Sequence, residues 1–178
     1  MIDSADSFVT TFDTIRMEDI AKASGIPRAT LYYYFDGKSE ILTFLLSTML
    51  ASFSEKVDQV VHTVADTRTR LEAVVRSHLE VLTSSPATAQ VLMGNLGQIS
   101  KGPDLASQVD RLCLDPIRRL LEDGRQRGEI GDIDIPTGAG TIFAAMSIGA
   151  ITLLVQGTLD IDRFTDDLMG VLWNGVGA

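Results

Sequence analysis

The sequence predicts an all-α fold, and three observations carry that prediction. Apolar residues recur at spacings of three and four along the chain. No stretch alternates apolar and polar residues as a half-buried strand does. Glycines and prolines break the pattern at intervals that suit separate helices. About nine helices result, with no strand.

In chain order, Ile2, Ala5, Val9 and Phe12 form the stripe of a first helix. Met17, Ile20, Ala21 and Ser24 then fall at i, i+3, i+4 and i+7, one inward face of a second. Gly25 suits the left-handed position past a helix C-terminus, and Pro27, lacking an N–H, suits the start of the next helix. In that third helix Leu31 and Phe35 point inward together, so Arg28, Ala29, Tyr32 and Tyr33 face out. Three adjacent tyrosines, Tyr32, Tyr33 and Tyr34, are too many for packing alone. The arrangement reads as a helix-turn-helix. A recognition helix needs a forked guanidinium for guanine edges or phosphate, small residues at the groove, and hydroxyl-bearing rings that reach phosphate and thymine methyls.

Asp36 or Gly37 opens a long helix with a broad apolar face running from Ile41 to Val57. Asp66 to Thr83 is another, with Leu71, Val74, Val75, His78, Leu79 and Leu82 inward, ended by Ser84-Ser85-Pro86. Ala87 to Ser100 is a shorter one, with Val91, Leu92, Leu96 and Ile99 apolar. Asp104 to Arg127 is helical, although Pro116 inside it demands a kink or a restart capped by Asp115. Residues 137–156 form an uncharged helix, and Ile161, Phe164, Leu168, Val171 and Leu172 mark the last.

Hydrophobic residues make up 45% of the 178 positions, ample for a packed core. The net charge of −9 argues against a protein that coats nucleic acid, because nonspecific affinity comes from cations replacing condensed counterions. Within residues 16–38, however, Arg16, Lys22, Arg28 and Lys38 outnumber Glu18, Asp19 and Asp36, a balance that favours binding through one face. A single cysteine, Cys113, rules out an intramolecular disulfide and fits a reducing cytoplasm. No signal peptide is visible, and a cytoplasmic protein is expected.

Residues 135–159 lack any charge and raise the question of a membrane helix. Pro136, Gly138, Gly140, Ser147, Gly149, Thr152, Gln156 and Gly157 dilute the run, and aspartates flank it where a span would have Lys or Arg. A buried or interface helix explains it better. Because it is apolar nearly all round yet lies near the end of a small chain, a second subunit is expected to cover it. Ala145 and Gly149, one turn apart, permit close helix approach, while Phe164, Met169 and Trp173 are candidate interface residues.

The segment MEDIAKASGIPRATLYYYFDGKSEIL, residues 17–42, resembles the TetR (tetracycline-repressor) family of transcriptional regulators. Members typically show a D-I-A-x-x-A-G-V helix, a turn, a T-L-Y-x-[YH]-F recognition helix and a [SNG]-K-[ES]-x-[LI]-[LI] helix start, and counterparts of all three occur here in order, the first as D-I-A-K-A-S-G-I. The resemblance implies that Arg28, Ala29, Tyr32 and Tyr33 approach bases while Thr30, Tyr34 and Lys38 hold the phosphate backbone. It implies residues 1–37 as the DNA-binding domain and 38–178 as a ligand-binding and dimerisation domain, pairing its last helices in a four-helix interface. Some features depart from the family. Members usually carry a basic arm before the first helix, whereas here Met1-Ile2-Asp3 leads straight into its stripe and no arm is expected; Arg16 stands where Thr usually caps, and Pro27 where Ser is usual, so weaker capping is expected at both places.

No catalytic constellation emerges. His62 and His78 are far apart and lack a carboxylate or thiol at ligand spacing, so no metal site and no cofactor are expected. Gly138-Ala139-Gly140 is not a dinucleotide loop, since Phe143 stands where the third glycine belongs and no strand precedes it. Phe44, Met49, Phe53, Leu79, Leu82, Met93, Leu96, Ile99, Leu112, Cys113, Ile117 and Met146 are candidate cavity residues, being large, adaptable and on the helices that enclose the family's ligand cavity. His78, His62, Asn95 and Gln98 are the polar candidates. The sequence thus predicts a non-enzymatic, ligand-responsive regulator. It is expected to be a repressor that binds a double-stranded, pseudo-palindromic operator as a homodimer, released by a small, largely apolar effector. The alternative is a dimeric small-molecule-binding protein with weak or lost DNA binding, motivated by the missing arm and the acidic balance.

Overall fold

A computed structural model describes residues 16–62, 65–84, 86, 89 and 105–174. Among them every regular element is helical, and seven helices are delimited where nine were expected. The predicted first helix lies outside the described residues, and of the one over 87–100 only Ala89, helical and buried, is described.

The first two helices, α1 (Met17–Ser24) and α2 (Arg28–Tyr34), meet across a tight turn in which Gly25 takes φ 68°, the left-handed conformation that a side chain disfavours. At α1 Arg16, which has no acceptor, gives no side-chain cap, as expected; only the return half of a capping box is made, the Asp19 carboxylate accepting the Arg16 backbone N–H at 2.8 Å. At α2 the expectation holds: Pro27 gives no side-chain cap, and its carbonyl accepts the N–H groups of Thr30 and Leu31.

Met17, Ile20, Leu31 and Ile41 are buried together in a small cluster, flanked by Ala21, Ile26, Phe35 and Leu45. Two of these, Ile41 and Leu45, belong to α3 (Lys38–Val61), a 24-residue rod. At 1.5 Å per residue α3 spans about 36 Å. Its later residues, Leu46, Leu50, Phe53 and Val57, enter a second, larger core with α4 (Thr67–Ser84). One helix therefore belongs to both cores.

Leu105–Val109 and Asp115–Gln126 form a single interrupted rod, α5, joined by a π-helical turn over Asp110–Leu114. Pro116 explains the interruption. In a regular helix its ring would strike the carbonyl four residues back, and widening the preceding turn by one residue relieves that clash. The Asp115 N–H reaches Asp110 O, five residues back. Asp115 does not cap the restart as expected; its carboxylate pairs with Arg119 at 2.5 Å instead.

The last two helices are α6 (Ile135–Gln156) and α7 (Ile161–Asn174). The Asp134 carboxylate caps α6 by accepting the Thr137 N–H at 2.9 Å, with Pro136 in the first turn. Gly157, at φ 68°, closes its other end, where Thr158 N–H reaches Leu153 O at 2.9 Å. By length and composition α6 could cross a membrane, and only 22% of its most apolar stretch is buried within this chain. Ile142, Met146 and Ala150 face the core, whereas Thr141, Ala144, Ile148 and Thr152 are exposed.

Arg70 locks the far end of the body. It is 4% exposed, its Nη2 donates to Asp123 Oδ2 at 2.5 Å, and its Nη1 donates to Val61 O at 3.4 Å, so the end of α3, the start of α4 and α5 are tied to one guanidinium. Beside it the Thr67 N–H and Oγ1–H both donate to Glu129 Oε2, at 2.7 and 2.6 Å.

Candidate DNA-reading face and ligand cavity

The outer face of α2 is laid out as its sequence dictates. Burying Leu31 turns Arg28, Ala29, Thr30, Tyr32, Tyr33 and Tyr34 outward, and all six are exposed, Tyr33 most at 80%. Tyr34 stays outside at 69%, its ring meeting that of Tyr33 edge-on at 4.9 Å. Lys38 is half-buried at the first residue of α3, next to the end of α2.

Arg28 is not idle in the absence of a partner. Its guanidinium lies 5.3 Å from the centroid of the Tyr32 ring and forms an ion pair with Glu18 of α1. The hydrogen bond to the Tyr32 hydroxyl and the Glu18 charge both favour its charged form. The pair is exposed on both sides, where such contacts contribute little, so a phosphate or guanine can displace Glu18 without a large penalty.

The second site is a cavity of about 300 Å³ in the body. Leu46, Met49, Leu50 and Phe53 of α3 form one wall, and His78, Val81 and Leu82 of α4 another. Val109 and Cys113, on either side of the π-turn's start, close a third, and α6 supplies Phe143, Ala144, Ser147, Ile148 and Ile151. The size and apolar lining suit a small hydrophobic molecule.

Among the described lining residues, only His78 and Ser147 carry side-chain nitrogen or oxygen. Ser147 Oγ lies 3.2 Å from His78 Nε2. The imidazole is fixed by two edge-on aromatic contacts, with Phe53 at 5.1 Å and Phe143 at 5.9 Å. Its Nδ1 is buried with no hydrogen-bond partner. A buried polar atom left so costs about 1–3 kcal/mol. Burial also pushes the His78 pKa down to about 4, so the ring is neutral at pH 7. Cys113, also buried, has its thiol pushed up to about 12, which removes the thiolate a nucleophile would need.

The ligand residues expected from the sequence divide into several groups. Met49, Phe53, His78 and Leu82 line the cavity together. Phe44 does not: it is 53% exposed and packs on Phe35, outside the body's core. Ile117 and Met146 are completely buried core residues that miss the cavity wall, as does Leu79. His62 is exposed at the end of α3, away from the lining. Met93, Leu96, Asn95, Gln98 and Ile99 lie outside the described residues. Sequence reasoning missed Ser147 and Phe143, because only the packing of α6 against α4 turns them toward His78; their i, i+4 spacing was the available signal.

The expected interface residues are also redistributed. Met169 is 2% exposed within its own chain, and a Cβ on Gly149 would lie 2.9 Å from the Phe164 ring, so this close approach joins α6 to α7 of the same chain. Trp173 is half-buried and lines a smaller cavity with Leu71, Leu121 and Ile142. Ala145 is half-buried. Apolar surface left open on these helices is represented by Ile148 and Val171, at 59% and 50% exposure.

Residues 12–43 match the model of the bacterial regulatory proteins of the tetR family. A curated relative, the fatty acid metabolism regulator protein of Bacillus subtilis, is 23% identical over 166 residues, which cover 90% of this chain and 84% of the relative. Among solved structures, the transcriptional regulator FadR of Bacillus subtilis in complex with stearoyl-CoA superposes with a TM-score of 0.72 at 20% identity, covering 97% of each chain. AibR in complex with isovaleryl coenzyme A and operator DNA gives 0.65 at 20% identity, covering 94% of this chain and 92% of that one. These structural likenesses extend the shared fold over both the helix-turn-helix and the body. With the tetR-family match on α1, α2 and the start of α3, and the fold of such regulators along nearly its whole length, the chain is similar to the TetR family of bacterial regulatory proteins in both its helix-turn-helix and its body.

Proposed function

We propose that the protein is a ligand-responsive transcriptional repressor that binds a pseudo-palindromic operator as a homodimer and is released by an acyl thioester or a similar small, largely apolar effector. The observation that carries this reading is α3. Its first turns hold α2 in place through Ile41 and Leu45, and its next turns, Leu46 to Phe53, form a wall of the cavity. A molecule that alters the cavity therefore acts on the rod that seats the reader. The fatty acid regulator and the two acyl-CoA complexes among its relatives support the effector class.

In this reading residues 1–37 read DNA and 38–178 bind effector and pair the subunits. Arg28, Ala29, Tyr32 and Tyr33 contact base edges, and Thr30, Tyr34 and Lys38 contact phosphate. The dimer forms on the outer face of α6, where Thr141 and Thr152 stand open beyond the cavity lining, together with Val171 of α7. Two half-sites about 34–36 Å apart tolerate little change in the spacing of two α2 helices, so a small rotation of α3 releases DNA. The protein carries out no reaction; its output is occupancy of DNA.

Selection of bound duplexes from a random library, followed by titration of the winner at several salt concentrations, tests the reading. A palindromic site whose affinity falls steeply with salt, and falls again with an acyl-CoA between the isovaleryl and stearoyl lengths, is expected. Absence of any selected site would favour a small-molecule-binding protein without DNA function. The Arg28–Glu18 pair, which occupies the principal reading side chain, and the net charge of −9 are the observations on that side.

A further inference from the structure

We propose that His78 and Ser147 form the polar recognition element of the cavity, and that they read an uncharged carbonyl oxygen on an apolar chain while excluding a free carboxylate. This deepens the effector reading above and rests on it.

Apart from this pair, the described lining offers a ligand no side-chain nitrogen or oxygen, and no Lys or Arg is among those residues to neutralise an anion. A carboxylate placed there would lose its hydration without gaining a counter-charge, the most costly form of burial. A carbonyl oxygen needs one donor. His78 can provide it: when the Ser147 hydroxyl donates to Nε2 across their 3.2 Å contact, the imidazole takes the tautomer with its proton on Nδ1. Nδ1 is the buried ring atom with no partner in the protein. Phe53 and Phe143 hold the ring edge-on, so once an entering ligand uncovers the buried Nδ1 it meets a donor whose direction is already set. Ser147 acts by fixing the tautomer, and His78 by touching the ligand.

Volume limits the chain that accompanies the carbonyl. A cavity of 150 Å³ is enough to bind benzene, so about 300 Å³ accommodates on the order of a dozen carbon atoms.

The test uses three matched probes at pH 7: methyl octanoate, octanoate and nonane. Binding to the full chain is followed by displacement of the neutral fluorophore N-phenyl-1-naphthylamine. Wild type should bind the ester at least about tenfold more tightly than octanoate, and more tightly than nonane. In His78→Phe the advantage of ester over nonane should collapse, and in Ser147→Ala, a change that removes only the hydroxyl facing His78, it should fall by about three- to tenfold. Octanoate binding as tightly as the ester would overturn the proposal, as would an ester advantage that survives both substitutions or failure of all three probes to bind. Operator binding of the wild-type chain without any probe is measured in parallel. Its loss would count against the regulator, and its persistence beside a failed probe series would count against the His78–Ser147 element alone.

Discussion

Gly124→Ala should destabilise the protein, although helix propensity alone predicts the opposite. Gly124 is a buried helical residue of α5 facing Thr67 at the start of α4. A Cβ added there would sit 2.5 Å from Thr67 Oγ1 and 2.7 Å from Thr67 Cγ2. Thr67 cannot easily yield, being completely buried with its hydroxyl and N–H both held by Glu129. Relief requires either separation of α4 from α5, an overpacking cost of about 1–3 kcal/mol, or rotation of Thr67 with loss of a hydrogen bond to a charged group, about 1.5–3 kcal/mol. Replacing glycine by alanine inside a helix returns about 1 kcal/mol. The net expectation is a loss of up to about 2 kcal/mol. Urea unfolding at one fixed protein concentration reads it, since any coupling to dimerisation then stays constant. The cycle with Thr67→Ser, which removes the methyl near the new Cβ and keeps the hydroxyl, should recover part of the loss. A Gly124→Ala chain more stable than wild type would refute the packing argument.

Arg28→Ala should weaken operator binding by about 1–3 kcal/mol and relax preference at one base pair per half-site, whereas Lys38→Ala should weaken operator and scrambled duplex alike; equal losses from both on both duplexes would contradict these roles. Acidification should act through His78, whose folded pKa of about 4 lies below the ordinary 6.5. The neutral ring's contribution is fully present above about pH 6.5 and disappears as pH falls toward 4. At about 1.4 kcal/mol per pKa unit this amounts to roughly 3 kcal/mol, so wild type should lose stability across that window and His78→Phe far less, as urea midpoints at stepped pH will show. Met49→Trp, which fills the α3 wall of the cavity, should lower acyl-CoA affinity and blunt its effect on DNA while operator binding persists; an undiminished response would remove this cavity from the mechanism.

Local chemistry was legible in the chain. The Met17, Ile20, Ala21, Ser24 stripe, Gly25 and Pro27 were enough to place α1, the turn and α2, because helix period, a left-handed glycine and a missing N–H act within a few residues. The outward set on α2 followed from Leu31 for the same reason. Position relative to distant elements was not legible. Phe44 and Met49 look alike on the α3 stripe, yet one packs on Phe35 outside the body and the other lines the cavity, because they fall on different sides of a rod whose turns from Ile41 to Leu46 serve both cores. Gly149 and Met169 carry the composition of an interface, but α7 folds back onto α6 and claims both. Ser147 gains its meaning only from His78, 69 residues away. Periodicity determines which residues share a helix face; which neighbour that face meets is decided by tertiary packing, where the burial energies of many helices are settled together.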